Sequence, residues 1–235
     1  MLPAFDLRWH DNSSLLSSRA QRLVALLAVS ERPLSRGVVA AKLWPDVVNA
    51  RANASLRATL WSFPHDCSSP IVIENNMLSL DDAIVLDLVE ARCLANAIID
   101  GTYACGASTR EDDLQEDLLP AWPDEWLAAE RERYRQLRLH ALDALCILHA
   151  REGRYAKAIA AGLASVSSEP TRESAHRALI FAHIQEGNRM EAIRQYHAYL
   201  AMARSEMGIG PSDQLRRLFR DALEDAADDD AVTLR

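Results

Sequence analysis

His149-Ala150-Arg151-Glu152-Gly153-Arg154-Tyr155-Ala156-Lys157-Ala158-Ile159 can be laid over His183-Ile184-Gln185-Glu186-Gly187-Asn188-Arg189-Met190-Glu191-Ala192-Ile193. The offset is 34 residues, and His, Glu, Gly, Ala and Ile recur in matching places. A period of 34 is that of a two-helix repeat. The matched residues suit such a unit. Glycine permits the tight turn between antiparallel helices, and the small Ala158 and Ala192 let the second helix approach the first closely. Helical spacing predicts an inward stripe of Tyr155, Ile159, Leu163 and Val166 in one unit, and of Ile193, Tyr196 and Leu200 in the next. Pro170 punctuates the first unit.

The helical pattern extends on both sides of the repeat. A long helix is expected from Asp124 to about Ala150, with Tyr134, Leu137, Ala141, Leu145 and Leu148 on its inner face. Another is expected from Ser212 to about Leu223, ahead of an acidic, disordered tail over 226–235. Upstream, a helix over Asp87–Ile99 leads into a small and polar loop, Asp100–Asp113.

Before Asp87 the pattern changes. Residues 4–9, AFDLRW, alternate as a short strand, and Asp11 to Ser14 form a turn. A first helix is expected from about Arg19 to Val29, with Leu23, Leu26 and Leu27 inward, broken at Glu31-Arg32-Pro33. Ser35 then reads as the N-cap of a second helix through Leu43, with Val38, Val39 and Leu43 as its stripe. A third helix follows over about Ala50–Phe63, stopped by Pro64. Its core face is Leu56, Leu60 and Phe63, with Arg51 opposite and Arg57 on a flank. Ile71–Glu74 and Met77–Leu80 around Asn75-Asn76 read as a β-hairpin, since asparagine tolerates the left-handed backbone of a tight turn. The fold class is therefore mainly α: an N-terminal winged helix-turn-helix with a small sheet and a wing hairpin, then an all-α, tetratricopeptide-like repeat domain. The boundary is expected between Asp82 and Asp87, giving domains 1–84 and 85–225.

The formal charge is −8, which argues against a generic nucleic-acid coat. Between Ser18 and Pro64, however, seven basic residues face only Glu31 and Asp46. A basic island in an acidic chain points to a DNA-facing surface, although a solvated helix face would give the same count. Cys67, Cys93, Cys105 and Cys146 have no zinc-site spacing and read as buried free thiols of a reducing cytoplasm. The N-terminus lacks the pattern of a signal peptide, and no apolar run approaches membrane-spanning length.

No phosphate-cradling glycine motif, GxSxG or HExxH occurs. His149 with Glu152, and His183 with Glu186, belong to the repeat and lack further ligands. Trp122 and Trp126 read as core anchors at a helix start. No catalytic residue, cofactor or metal is expected.

Leu118-Leu119-Pro120-Ala121-Trp122-Pro123-Asp124-Glu125-Trp126-Leu127 carries a family likeness. Glu130-Arg131-Glu132-Arg133, Glu152-Gly153-Arg154-Tyr155, Ala192-Ile193-Arg194-Gln195-Tyr196 and Met207-Gly208-Ile209-Gly210-Pro211-Ser212 extend it, and Leu43-Trp44-Pro45-Asp46 with Leu56-Arg57 add the N-terminal part. Together they resemble the actinomycete antibiotic regulatory proteins, in which an OmpR-type winged helix precedes a bacterial transcriptional activator domain. The third helix departs from that pattern: it reads Leu60-Trp61-Ser62-Phe63-Pro64 where the family continues Leu-Ser-Arg-Leu-Arg. The resemblance implies a cytoplasmic transcription regulator that binds double-stranded DNA, associates as a homodimer on it, contacts RNA polymerase holoenzyme and needs no membrane.

In a winged helix the third helix enters the major groove and the wing touches the neighbouring backbone. Arg51 and Arg57 would then meet phosphates or guanine edges, and Ser55 and Thr59 would hydrogen-bond phosphates or bases. Arg36 would join the start of the second helix in holding a phosphate, and Asn75 and Asn76 would sit at the wing tip. The rival expectation is a helical protein-interaction adaptor whose winged helix no longer binds DNA strongly.

Overall fold

Serine hydroxyls open the first two helices of the computed structural model, which describes residues 1–9, 12–13, 16–63, 69–104 and 110–220. The Ser17 Oγ accepts from the Ala20 N–H at the start of α1 (Ser18–Ser30), and the Ser35 Oγ accepts from Val38 N–H at the start of α2 (Arg36–Leu43). Each satisfies a donor that the helix itself leaves unpaired. α1 ends where Glu31 adopts a left-handed backbone. It buries Ala20 and the whole run Leu23 to Val29, because neighbours cover nearly its full circumference.

The chain divides into two compact units: residues 1–92 with 116–135, and 93–115 with 136–235. This division differs from a single cut between Asp82 and Asp87.

The first unit holds β1 (Arg8–Trp9) paired with β2 (Asn12–Ser13), then α1, β3 (Leu34–Ser35), α2, α3 (Asn49–Trp61), β4 (Ile71–Glu74) and β5 (Met77–Leu80). β5 lies between β3 and β4, antiparallel to both. The register sets Leu34 opposite Leu78 and Glu74 opposite Met77. This is the winged helix-turn-helix order. Leu23, Leu26, Val39, Leu43, Leu56, Phe63, Ile71 and Leu78 share its core. A second cluster joins the other side of α1 (Ala25, Ala28, Val29) to Leu88 and Ala91 of α4 (Asp87–Ile99). It also takes in Leu118, Leu119 and residues Leu127 and Tyr134 of α5 (Glu125–Arg151).

In the second unit the later part of α5 is followed by α6 (Tyr155–Ser168), α7 (Glu173–Glu186), α8 (Arg189–Met202), a π-helical turn over Ala203–Met207, and α9 over 213–220. The repeat period appears in its backbone. Gly153 and Gly187 take left-handed φ values of 73° and 82°. In each unit the residue after the glycine returns an N–H bond of 2.9 Å to the matching histidine carbonyl, Arg154 to His149 and Asn188 to His183. These are Schellman-type endings, in which orphan carbonyls of the last turn find donors.

The inner face of α6 is made of small residues. Ala158, Ala161, Gly162 and Ser165 are buried, whereas Leu163, expected inside, is exposed. Close approach sets this face: a Cβ on Gly162 would stand 3.1 Å from both Cys146 Sγ and Leu179 Cδ1. In α8 the fully buried residues are Ala192 and Tyr199, flanked by half-buried Ile193, Tyr196 and Leu200.

Other expectations need correction. The strand over 4–9 shrinks to Arg8–Trp9. Val38 is exposed because α2 turns Val39, Ala40 and Leu43 inward. The loop after α4 contains a 3₁₀ turn, Glu111–Gln115, which buries Leu114. Cys93 is exposed, while Cys146 is buried, its thiol pushed up to about 12 by burial and the nearby Asp143 charge. The inner face of α5 widens between residues 138 and 150, where Arg138, Asp143 and His149 are buried beside the apolar stripe. Asp143 accepts from Ser165, Ser174 and Arg172 at 2.7 to 3.0 Å, which balances its buried charge. Pro64, Cys67, Cys105 and the acidic tail lie outside the described residues.

Two outcomes test this packing. Gly162→Val is expected to lower stability by about 1–3 kcal/mol through overpacking, read by urea unfolding; an unchanged midpoint would show that α6 has room to retreat. Burial pushes the Glu111 carboxyl up, but hydrogen bonds from Tyr103 and Lys157 and the charges of His149 and Lys157 outweigh it, so its pKa is lowered. Its contribution to stability is therefore present above the usual carboxylate range and lost as pH falls below about 4.3 through the lower folded value. Melting curves of Glu111→Gln should fall less steeply with acid than those of the parent, and parallel curves would contradict the assignment.

Candidate nucleic-acid interface

The third helix turns a mixed sequence into two distinct faces. Ala52, Leu56 and Thr59 are buried, joined by Phe63 just beyond the helix and by partly buried Leu60. On the other side Ala50, Arg51, Ala54, Arg57, Ala58 and Trp61 are exposed. With about 100° between successive residues, Ala54 falls opposite the centre of the core face. Arg51 and Arg57, about 120° apart, fall on the two flanks of the outer face. Sequence spacing put Arg51 opposite the core. Burial of Ala52 and Thr59 moves the core centre round the helix and makes the two arginines equivalent flanks.

Thr59 is the one candidate the structure removes from the surface. It is only 5% exposed, and its hydroxyl donates to the Ser55 carbonyl at 2.9 Å. A threonine that satisfies itself on its own helix can share an apolar face, so the expectation of a DNA contact there is corrected. Ser55 is half-buried between the two faces.

The remaining candidates meet at the sheet. Asn75 and Asn76 are exposed, with φ of 48° and 65°. Two central residues at positive φ suit the two-residue turn whose twist matches a hairpin. The Asn76 carbonyl accepts the Arg36 N–H at 3.3 Å, which brings the first residue of α2 to the wing turn. Arg36 itself is half-buried.

The basic island is not uniform. The Arg22 guanidinium donates from Nε to Asp124 at 2.7 Å and from Nη2 to the Leu43 carbonyl at 2.9 Å. Asp124 also accepts from Trp126 Nε1 at 2.9 Å, and its side chain is 7% exposed. Arg131 donates to the carbonyls of Leu118, Leu119 and Trp122, and so closes the turn before α5. Arg36, Arg51 and Arg57, by contrast, form no ion pair among the described residues. Sequence counting could not separate these classes, because the partners of Arg22 lie about a hundred residues away or on the backbone.

Trp61 is a feature that sequence reading passed over. It is 74% exposed on the arginine-bearing face. A groove of about 860 Å³ also occurs in this unit, lined by Arg22, Lys42, Trp44, Asp46, Trp122 and Trp126 among others. Trp122 stacks on Phe5 with centroids 5.9 Å apart, and Trp126 is held by Asp124, so both also serve packing. Among the described residues no group of three His, Cys, Asp or Glu side chains could hold a metal, and no helix is long and apolar enough to cross a membrane. His149 meets Glu111 at 3.2 Å, and His183 Nδ1, 3.8 Å from Glu186, has no hydrogen-bond partner among the described residues.

Residues 110–223 match the family described as the bacterial transcriptional activator domain. A solved structure described as Mycobacterium tuberculosis EmbR in complex with low affinity phosphopeptide has a similar fold, with a TM-score of 0.64 at 18% identity. The similarity covers 95% of this chain, which spans 64% of that one. No curated protein matches the chain by sequence.

The tie between Arg22 and Asp124 is testable apart from any ligand. Asp124→Ala leaves a guanidinium and an indole N–H without their acceptor and is expected to lower stability by about 1–3 kcal/mol. An unchanged thermal midpoint would show that the contact adds nothing to the fold.

Proposed function

We propose that this chain is a sequence-specific DNA-binding transcription regulator of the actinomycete antibiotic regulatory type. The observation that carries the reading is the outer face of α3. It is exposed, bears Arg51 and Arg57 on its two flanks, and neither arginine is neutralised by an acidic neighbour among the described residues. The match to the bacterial transcriptional activator domain over 110–223 supports a role in transcription.

In the proposed mechanism α3 enters the major groove and the Asn75-Asn76 turn approaches the adjacent backbone. Ala54 faces the groove floor, where a short side chain allows close approach. Arg51 and Arg57 reach outward to opposite phosphate strands. Ser55 hydrogen-bonds a phosphate or base edge from the side. Arg36 and the start of α2 hold a further phosphate, where the helix dipole favours negative charge. The helical repeats supply the protein-binding surface, with self-association on direct repeats and contact with RNA polymerase holoenzyme as their roles. The exposed alanines favour a second reading, a protein-interaction adaptor that has lost strong DNA affinity, because they offer a duplex no charge and no hydrogen bond.

A salt titration separates the two. Each phosphate contact releases counterions, so binding should weaken steeply with salt. Arg51→Ala and Arg57→Ala should each lower the slope of log affinity against log salt by about one, and the double variant by about two. If well-folded variants keep the parent's slope and affinity, α3 is not the DNA-binding element. If the parent retains no promoter fragment, the adaptor becomes the better account.

A further inference from the structure

We propose that the groove in the first unit binds a small organic cation, an amine or quaternary ammonium group carried on an aromatic ring. The assignment is independent of any DNA contact by α3. Three of the chain's five tryptophans line the groove. Trp44 directly follows α2, Trp122 precedes α5, and Trp126 lies in the first turn of α5. All three are half-buried. Each packs against the apolar core and also contributes to the groove wall. A lone half-exposed aromatic is ordinary. Three brought together from distant stretches of sequence form a wall of the kind that covers a ligand. The volume of about 860 Å³ agrees, since pockets for small organic molecules run from roughly 300 to 1,000 Å³ and join a mostly apolar lining to a few polar groups.

The charges identify the ligand. Five ionisable side chains line the groove, and two of them, Arg22 and Asp124, neutralise each other as an ion pair. The other three are Lys42, Asp46 and Glu125, which are exposed and form no ion pair among the described residues. Two carboxylates against one ammonium leave the wall with an excess of negative charge. The indoles add to it, because the face of an aromatic ring is the negative part of its quadrupole and tryptophan attracts cations best. Trp126 is held in place by the bond from its Nε1 to Asp124 at 2.9 Å. A bare metal ion does not match the groove. Among the described residues no three Asp, Glu, His or Cys side chains gather as its ligands, and it would leave the apolar surface of the indoles uncovered. An organic anion does not match either, since Lys42 is the one lining cation outside an ion pair and two carboxylates oppose it. A cationic nitrogen on an aromatic ring answers both features, its charge the carboxylates and its ring the indoles.

The experiment titrates the full chain by calorimetry at low salt with two probes of similar size, benzyltrimethylammonium and phenylacetate. The parent is expected to bind the cation saturably and about tenfold more tightly than the anion. Trp44→Leu keeps an apolar side chain but removes the indole, and should weaken the cation about fivefold. Asp46→Asn combined with Glu125→Gln should weaken it about fourfold, and Lys42→Ala should tighten it about twofold. These three charged positions are exposed, so their variants test the site without disturbing the core, and a thermal melt of every variant confirms the fold. If Trp44→Leu unfolds, the charge variants decide alone. The assignment is overturned by a parent that binds neither probe, by one that shows no preference for the cation, or by charge variants that bind the cation as the parent does. Parental affinity in a well-folded Trp44→Leu would overturn it too, because the cation then sits elsewhere.

Discussion

The Asp124 carboxylate is shared between the Arg22 guanidinium and the Trp126 indole N–H, with its side chain almost wholly removed from water. Such a charge is tolerable only with its partners in place. Arg22 also takes the Leu43 carbonyl, the last residue of α2. One ion pair therefore ties the middle of α1 to the end of α2 and the start of α5. The end of α2 is where the chain turns through Trp44 and Pro45 into α3. The direction in which α3 leaves the core thus depends on a residue far along the sequence. The stretch that carries the strongest family likeness, from Leu118 to Leu127, packs within the same compact unit as the winged helix. Its Leu118, Leu119 and Leu127 are fully buried there, and Arg131 satisfies the carbonyls its turn would otherwise leave bare.

In the second unit a different constraint rules. Its helices α6 and α7 approach one another over many small side chains, with larger ones such as Leu179 set among them. Ala158, Ala161, Gly162 and Ser165 occupy the inner face of α6, and Ala175, Ala178 and Ala182 do the same on α7. Close approach raises the number of dispersion contacts per residue and leaves little room for a change of volume. It also explains the polar interior. Asp143 and His176 sit between helices that are near enough to supply every partner they need. His176 bridges the Pro170 carbonyl and the Gln195 amide, each at 2.8 Å, and burial lowers its pKa against the opposing pull of that carbonyl and Glu173.

Features governed by local chemistry were legible in the residues. Asn75-Asn76 located the hairpin turn because few residues accept two successive left-handed positions. Ser35 located the start of α2, and the glycines of the 34-residue period located both repeat turns. What escaped was set by tertiary packing. Thr59 looked available because hydroxyl residues favour surfaces, yet it bonded its own helix and entered the core. Leu163 looked internal by helical spacing, yet the closeness of α6 to its neighbours left its inner face to alanine, glycine and serine. Arg22 counted toward the basic island, yet its guanidinium is held by Asp124 and the Leu43 carbonyl. The candidate interface was therefore legible as a helix and a wing, but its division into arginines held by partners and arginines that form no ion pair among the described residues was not.

That division bears on how an acidic protein can bind an acidic polymer. With a formal charge of −8, the chain as a whole repels DNA, but at physiological salt this repulsion is screened beyond about 8 Å. Attraction on the proposed reading must come from contacts shorter than that. The three arginines on α2 and α3 that form no ion pair among the described residues would supply few such contacts, which would limit the sequence-independent part of affinity. A larger share must then come from close fit. On that reading the alanine face of α3 would serve that end, since its short side chains would let the helix backbone sink toward the base edges, where shape and methyl groups are read. Weak general attraction combined with close fit favours discrimination over tight non-specific adsorption, and pairing two copies on adjacent sites would restore the affinity that one copy lacks.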